Sequence, residues 1–542
     1  MHAKRIRTKM VYKYKSAMPG VPARFKCRLV CKGFMESRYE YGESFAQVVR
    51  HETVRAFFAA AAARDEDMCS IDIVSAFCTA PINRTVYIDE PKQFKREGYV
   101  CKLGANMYGL TSAPAAYHRD FDKFLRTCLI VPDPSDTCLY TSKNPLYPNI
   151  QMIEYVDDCI VKGPQAEIVR FKADLLDKYQ IRDYGDPRSF LGMEIHRDRE
   201  AKTVRLTQQA YIQMLAKQYQ LQDSNRVDSP MVTPLDQMVD ACDLLPNASD
   251  YRKIVGSLMY CHAATRFDIT FAVSQLSRKL AKPTVTDMKA ARRVLQYLYH
   301  TQDHGPVYYG KGAVTLVGYS DADYAGDVHT RRSTSGRLFM LCAGPVSWAA
   351  KQQRSTSTST AQSEYIALSQ AAAECLWLRK VCATVLHVAS MPTTNIAEDN
   401  AAALKWCYNP INHGKQKHIP VAYHFIREQV AQFCNLNIVP IATEFQLADL
   451  FTKVLPAPRF RFLVDSIRGL NPTPLAPRTV SERIQDAVKD ASEELMSLKD
   501  RLDKNPTNTQ ERFFEEHFQE PDPVSLQKQG GLHASQPASP DA

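Results

Sequence analysis

The sequence predicts an α/β (α+β) protein built from two mixed units of strands and helices, a helical stretch between them and a separate tail. Three observations carry this. Short β-branched and aromatic runs alternate with segments repeating apolar residues at i, i+3 and i+4 over residues 24–195, and again over 315–453. Residues 207–305 show the helical spacing without the strand-like runs. Beyond Leu455 the composition shifts, with Pro456, Pro458, Pro472, Pro474 and Pro477 marking a linker.

Taken in order, "RFKCRLVCKG" (24–33) reads as a basic hairpin strand ending at Gly33, and 52–65 as a helix whose "FFAAAAA" suits a buried position. "MCSIDIVSAF" (68–77) reads as a strand with one Asp in an apolar setting, and "VPDPSD" (131–136) as a break. A strand pair around Asp157 and Asp158 follows, then a helix at 165–179 and a short strand at "FLGMEI" (190–195). "YIQMLAKQY", "YRKIVGSLMYCHAAT" and "MKAARRVLQYLYHT" supply the helical stretch. A second sheet begins at "TLVGYSDADYAG" (315–326) and runs through "GRLFMLCAGPVSWAA". Then come the helix "SEYIALSQAAAECLWLRKVCATVL", the strand-to-helix "TNIAEDNAAALKWC", the helix "HFIREQVAQFC" and the closing "NIVPIATEFQLADLFTKVL". In the tail, Ile484, Ala491, Leu498 and Val488, Leu495, Leu502 repeat every seventh residue over 479–503. That pattern fits either a short self-associating coiled coil or one amphipathic helix packing on the body.

The bulk numbers set outer bounds. With 542 residues, 45% hydrophobic and 23% charged, the chain has ample material for several cores. A net charge of +9 fits a polyanionic partner and equally fits plain solubility. The 15 cysteines are scattered, and the nearest metal-like spacing, Cys27 and Cys31, has no matching Cys/His pair, so they read as reduced residues of an intracellular protein. No apolar run approaches the ~20 residues that cross a bilayer. The basic "MHAKRIRTKM" lacks the apolar stretch of a secretory signal and retains a weak nuclear or nucleic-acid reading.

"IEYVDDCIV" (153–161) sets Asp157 and Asp158 side by side inside strand-forming residues. Adjacent carboxylates there repel each other, and burying them unpartnered is costly, unless a cation is held. Asp72 in "CSIDIVSAF" is a third acid in the same kind of setting. Three carboxylates from neighbouring strands suit hard divalent cations, and a pair of such ions about 3.5–4 Å apart suits phosphoryl displacement.

At this point the chain resembles the copia-type retrotransposon polyprotein. "YVDD" with "SIDIVSAF" looks like the palm of a reverse transcriptase. "RLVCKGF", "ESFAQVVR", "MYGLTSAPAAYH", "FLGMEI", "YRKIVGSLMYCHAATRFDI", "YSDADYAGD", "STSGRLFML", "SEYIAL", "KHIPVAYHFIRE" and "QLADLFTK" follow in family order over roughly residues 10–455. The resemblance implies a right hand of fingers, palm and thumb, a helical connection and a ribonuclease H-like domain. The expected limits are 1–235 for fingers and palm, 236–311 for thumb or connection, 312–455 for the ribonuclease H-like domain and 456–542 for the tail.

It also implies roles. Asp72, Asp157 and Asp158 would be the metal-binding catalytic acids. Phe77, five residues after Asp72, falls at the family's steric gate against a ribose 2′-hydroxyl. Lys26, Arg28 and Lys32 on the fingers-like hairpin would neutralise an incoming triphosphate. Tyr108 and Gly109 lie in the segment that resembles the platform under the template base and nucleotide, and "FLGMEI" resembles the primer grip. Downstream, Asp321, Glu364, Asp399 and Asp449 sit at predicted strand and helix boundaries, and their order Asp, Glu, Asp, Asp resembles ribonuclease H. Asp323 and Asp327 read as turn residues instead.

The implied function is an RNA-directed DNA polymerase with a ribonuclease H for RNA-DNA hybrids, each site using two Mg2+, with Mn2+ as an alternative. The implied partners are an RNA template, a DNA primer, the RNA-DNA hybrid and deoxynucleoside triphosphates, with no membrane and self-association through 479–503. The expected location is the cytoplasm, in a virus-like particle, with nuclear access. Some positions depart from the family. Thr111-Ser112 replaces Lys-Gln, Ala361-Gln362-Ser363-Glu364-Tyr365 replaces Thr-Glu-Ala-Glu-Tyr, Pro420 replaces Asp, and no histidine precedes "QLADL". Protease, zinc-knuckle and integrase signatures are missing, so the chain reads as the C-terminal half of a polyprotein. The departures suit an alternative: a decayed or domesticated copy acting as a nucleic-acid-binding or assembly protein.

Overall fold

The computed structural model describes residues 5–15, 23–91, 94–237, 243–311, 314–408 and 425–471, all within one unit, Met1–Pro474. Strand-forming residues pair first in the antiparallel hairpin β1 (Thr8–Lys15) and β2 (Arg24–Cys31). Helix α1 (His51–Ala63) is buried on every side from Thr53 to Ala62, the mark of an interior helix, with Arg55 the charge inside that run. Strand β3 (Asp67–Ile73) ends earlier than its apolar run suggested. Ser75 takes a left-handed φ of 56° and turns the chain into the short helix Ala76–Thr79.

Helix α2 (Ala113–Thr127) leads to β4 (Ile130–Asp133) and β5 (Asp136–Ser142). The expected break at 131–136 is therefore a correction: its prolines and acids form a tight hairpin between two paired strands. Strands β6 (Gln151–Tyr155) and β7 (Asp158–Gly163), helix α3 (Gln165–Leu176) and β8 (Ile181–Gly185) complete an antiparallel sheet ordered β8-β3-β7-β6-β5-β4. Helices α2 and α3 pack on one face with Ile71, Met152 and Val161, and α1 packs on the other with Met68, Ile153 and Ile160.

"FLGMEI", expected as one strand, turns within itself. It joins β9 (Ser189–Phe190) to β10 (Met193–Asp198) through Leu191 and Gly192, at φ 51° and 72°. With β11 (Thr203–Thr207) and β12 (Val307–Tyr309) they form a four-stranded sheet. Between β11 and β12 lie α4 (Gln209–Gln218), α5 (Ser249–Ala264), α6 (Thr270–Ser277) and α7 (Val285–His300), the expected helical stretch. Helix α4 packs on α7, and Arg292 of α7 donates to the Tyr219 carbonyl at 3.1 Å, so the expected boundary at 235 cuts through one helical group.

The second sheet contains β13 (Leu316–Ala322), β14 (Thr334–Leu341), β15 (Gly344–Gln352), β16 (Thr394–Glu398) and β17 (Leu436–Pro440), ordered β15-β14-β13-β16-β17. It is antiparallel up to β13 and parallel from β13 to β17. Helix α8 (Thr360–Val385), capped by the Ser359 hydroxyl, lies on it, and α9 (Ala401–Tyr408) follows β16. The limit expected at 455 is also corrected. Pro456 caps and Pro458 opens helix α10 (Ala457–Ile467), which buries Phe460, Leu463, Val464 and Ile467. Proline suits a first helical turn because its missing N–H would have had no partner there. The 479–503 heptads lie outside the described residues.

The two sheets share one core. Helix α1 sits between the first sheet and α8. Arg55 is fully buried at that seam. Its guanidinium donates to the carbonyls of Val346 (2.7 Å), Ala263 (2.6 Å) and Ala264 (3.0 Å) and stacks 3.8 Å from the Trp348 ring centroid. Lys162 of β7, also fully buried, donates to the Val385 carbonyl at the end of α8 (2.9 Å) and pairs with Glu66. Among the described residues, no helix is long and apolar enough to cross a membrane.

Candidate active sites

Register brings the first acids together. Asp158 of β7 stands opposite Asp72 of β3, and Arg182 of β8 stands opposite Asp72 on its other side, 3.4 Å from its carboxylate. Asp157 occupies the two-residue turn between β6 and β7, and its carbonyl accepts from the Ile73 amide at 2.8 Å. Val156, first in that turn, has a φ of 59°. Two-residue hairpins favour that sign, but a β-branched side chain resists it, so the turn holding Asp157 is strained.

A cavity of about 260 Å³ opens against this turn, lined among others by Lys26, Arg28, Asp72, Ser75, Tyr108 and Asp157. Five of those were legible as site residues. The Arg28 guanidinium lies 5.2 Å from the Tyr108 ring centroid. Burial, reinforced by the Asp157 charge, raises the Tyr108 phenol above its ordinary value. The other expected residues lie elsewhere. Phe77 is packed behind the wall, its ring 5.1 Å from Tyr108 and 6.2 Å from Tyr117. Lys32 follows the hairpin, its amide donating to the Arg7 carbonyl. Asp158 is exposed beside the cavity. Gly109, at φ 88°, lets two backbones touch. A Cβ there would come 2.1 Å from the Cys31 carbonyl oxygen, in the seam where Cys31 and Gly33 amides donate to the Tyr108 and Gly109 carbonyls.

The departure at Thr111-Ser112 belongs to the same seam. Glu36, nearly buried, accepts from the Thr111 amide at 2.8 Å and pairs with Arg84, which also donates to the Ser112 hydroxyl at 3.3 Å. Arg182, Ser75 and Cys78 were missed as cavity residues. Only the three-dimensional pairing of β8 with β3, and the reversal at Ser75, bring them in.

The second set lies at one end of the second sheet. Asp321 is near the end of β13, and Asp399 directly follows the parallel neighbour β16. Glu364 sits on the first turns of α8. One ligand oxygen from each of Asp321, Glu364 and Asp399 lies within 4.8 Å of the others. Among the described residues, Asp72, Asp157 and Asp158 are not gathered so closely. Asp449 rides on a 3-10 turn, Leu447–Phe451, pinned to β13 by Gln446, which donates to the Ser320 carbonyl at 2.9 Å. The Lys453 ammonium lies 2.6 Å from Asp449 and 3.9 Å from Asp321, and the Thr452 hydroxyl donates to Asp321. Arg459 is 3.4 Å from Asp449.

Asp321, Glu364 and Asp449 are almost wholly buried, and so is Glu398, an acid the sequence reading passed over although it adjoins Asp399. Burial pushes Asp321 up to about 7, and burial with the neighbouring Glu398 charge pushes Glu364 up to about 11. Glu398 is likewise raised by burial. One oxygen of Glu364 and one of Glu398 are closed to solvent with no hydrogen-bond donor. Hard oxygen donors, mutually close and incompletely satisfied, fit a divalent cation. Asp323 and Asp327 instead bond turn amides, those of Thr334 and of His329 and Thr330.

A family model described as reverse transcriptase (RNA-dependent DNA polymerase) matches residues 1–233. The chain is 31% identical over 467 residues to the "Retrovirus-related Pol polyprotein from transposon TNT 1-94" of Nicotiana tabacum, covering 84% of this chain and 35% of that protein. It is 34% identical over 444 residues to the "Retrovirus-related Pol polyprotein from transposon RE2" of Arabidopsis thaliana, covering 81% and 30%. The chain thus spans about a third of the length of these relatives. Among solved structures, a foamy viral protease-reverse transcriptase in complex with double-stranded DNA aligns over 81% of this chain and 65% of its own at 13% identity, but its TM-score of 0.20 is too low to argue from.

Proposed function

The chain belongs to the copia-type retrotransposon Pol polyproteins, matching their reverse transcriptase, and from that premise we propose that it is an RNA-directed DNA polymerase joined to a ribonuclease H acting on RNA-DNA hybrids. The observation that carries the first activity is Asp72 facing Asp158 in register, with Asp157 in the strained turn at a cavity also lined by Lys26 and Arg28. The second rests on Asp321, Glu364 and Asp399 brought within 4.8 Å. The sheet that carries them, three antiparallel strands continued by two parallel ones, supports the ribonuclease H reading.

Asp72, Asp157 and Asp158 would hold Mg2+ at the first site, and Asp321, Glu364, Asp399 and Asp449 at the second, with Mn2+ as a substitute. When bound, such ions supply positive charge at the attacking and leaving oxygens of a phosphoryl displacement. The protein's own residues set the geometry. Lys26 and Arg28 face the cavity and neutralise the triphosphate of a deoxynucleotide. Tyr108, held by Arg28 across its face and backed by Phe77, forms a rigid wall beside the sugar. Phe77, at the position of the family's steric gate, would act against a ribose 2′-hydroxyl from behind the Tyr108 ring it touches. Gly109 allows the close approach by which the Cys31 and Gly33 amides keep β2 against that wall, while Lys32 ties to the Arg7 carbonyl. At the second site Lys453 balances Asp321 and Asp449 until substrate and cation arrive. Template RNA, primer DNA and their hybrid would be gripped through their phosphates, because copying must not depend on sequence.

The test is incorporation of labelled dTTP on poly(rA)/oligo(dT) with Mg2+ or Mn2+, beside Asp157→Asn. Incorporation lost in the variant supports the polymerase. A folded, monodisperse protein with neither incorporation nor hybrid cleavage would favour the alternative, a non-catalytic nucleic-acid-binding copy.

A further inference from the structure

Beneath the first acid site, three side chains of different chemistry converge. Register from Leu139 opposite Ile153 continues to set Cys138 of β5 across from Glu154 of β6, on the sheet face that α2 covers. His118 of α2 reaches the same point. One ligand atom each from His118, Cys138 and Glu154 lies within 4.8 Å of the others. We propose that these three residues form a third cation site, distinct from both acid clusters, that takes a borderline transition metal, Zn2+ above others.

The donor set carries the choice of metal. Imidazole, thiolate and carboxylate together suit Zn2+, whereas Mg2+ and Ca2+ take oxygen alone. The spacing agrees. His118 Nδ1 and Glu154 Oε2 are 3.3 Å apart. That is about the edge of a tetrahedron whose Zn–N and Zn–O bonds are about 2.0–2.1 Å. Cys138 and Glu154 are 1% and 2% exposed, so only His118, at the edge, meets solvent and gives an entry path. Tyr140 donates to Glu154 Oε2 at 3.2 Å and fixes the carboxylate from outside the trio, as partners of metal ligands commonly do.

An ion pair between His118 and Glu154 explains two of the three residues. It leaves Cys138 in a carboxylate's field with no bond to it, and burial with the Glu154 charge raises that thiol. It also leaves Asp122, one helical turn beyond His118 on α2, with an Oδ1 closed to solvent and no donor. Asp122 lies outside the close trio, and its other oxygen accepts from Arg126 at 2.8 Å. Binding would displace the proton shared by His118 and Glu154 and the thiol proton, releasing about two protons per ion. Because Glu154 lies three residues before Asp157, the ion would pin α2 to the hairpin that carries the first acid site.

The full chain, stripped with chelator, should gain a thiolate-to-cobalt charge-transfer band in the near ultraviolet whose intensity saturates at one Co2+ per chain. Carboxylate sites bind Co2+ without that band, so the readout is independent of polymerase or hybrid cleavage. Cys138→Ser and Cys138→Ala should abolish the band, His118→Gln should weaken it, and Zn2+ should displace Co2+ and raise the melting temperature of the unsubstituted chain alone. His118→Gln changes an edge position and keeps the test decisive if the buried variants unfold. No band in the folded chain, a band retained in Cys138→Ser, or one unchanged in His118→Gln would overturn the proposal.

Discussion

At the β6–β7 turn, Asp72 and Asp157 border a cavity with Lys26, Arg28 and Arg182, and Asp158 stands exposed beside it. At the end of the second sheet, Asp321, Glu364, Glu398 and Asp449 are buried, with Lys453 and Arg459 reaching Asp449. Beside the first set, Lys26, Arg28 and Arg182 prepare the cavity for phosphate. Acids buried together do not all ionise, so their charge must be balanced by protons or by cations. The first site is thus ready for an anionic substrate, and the second is set by its metal. Removing metal should silence both sites but alter the stability of only the second.

The largest expected effect separates the sites by activity. Asp72→Asn should lower polymerisation by about 10³-fold or more, the scale of about 4 kcal/mol of lost transition-state stabilisation, and leave hybrid cleavage within about twofold. Steady-state assays of both activities on one preparation check it. A second substitution breaks the comparison altogether. Arg55→Met removes the buried cation at the shared seam and strands the Val346, Ala263 and Ala264 carbonyls. It should cost about 3–5 kcal/mol in urea unfolding and lower both activities together.

A smaller effect sharpens the contrast through pH. The folded-state values of Asp321 and Glu364 are raised to about 7 and about 11, above their unfolded values. The native state then holds protons that the unfolded chain has released, so stability falls as pH rises from about 4 through 7, and further for Glu364. In chelator the Asp321 share alone should cost on the order of 2 kcal/mol between about pH 5 and pH 7, relative to protein saturated with Mg2+ or Mn2+. Denaturant midpoints in the two buffers measure the difference. Smallest of all, Glu364→Gln should stabilise the chelated protein by about 1–2 kcal/mol, while Asp158→Asn, exposed, should shift it by less than about 0.5 kcal/mol. Equal shifts would remove the distinction between the sites.

Much of this was legible where local pattern and tertiary structure agree. The all-apolar run at 57–63 became an interior helix, and the acids of both sets fell at strand ends or turns, except Glu364, which opens a helix. What was missed depends on partners distant in sequence. Phe77 was placed at the cavity by the resemblance, five residues after Asp72, but the left-handed Ser75 reverses the chain and puts Cys78 at the wall, with Phe77 against the Tyr108 ring. Pro456 and Pro458 read as linker because proline ends helices more visibly than it starts them. Only the core under Phe460 and Leu463 shows that a helix begins there. Arg55 went unremarked, since nothing local reveals the carbonyls 208 to 291 residues away that it binds.

Two separate acid sites on one folded body are tested most directly by assaying both activities on Asp157→Asn and Asp399→Asn. With dTTP incorporation on poly(rA)/oligo(dT) and cleavage of a labelled RNA-DNA hybrid run side by side, Asp157→Asn should lose incorporation and keep cleavage. Asp399→Asn should do the reverse. Equal loss of both activities in either folded variant would contradict it.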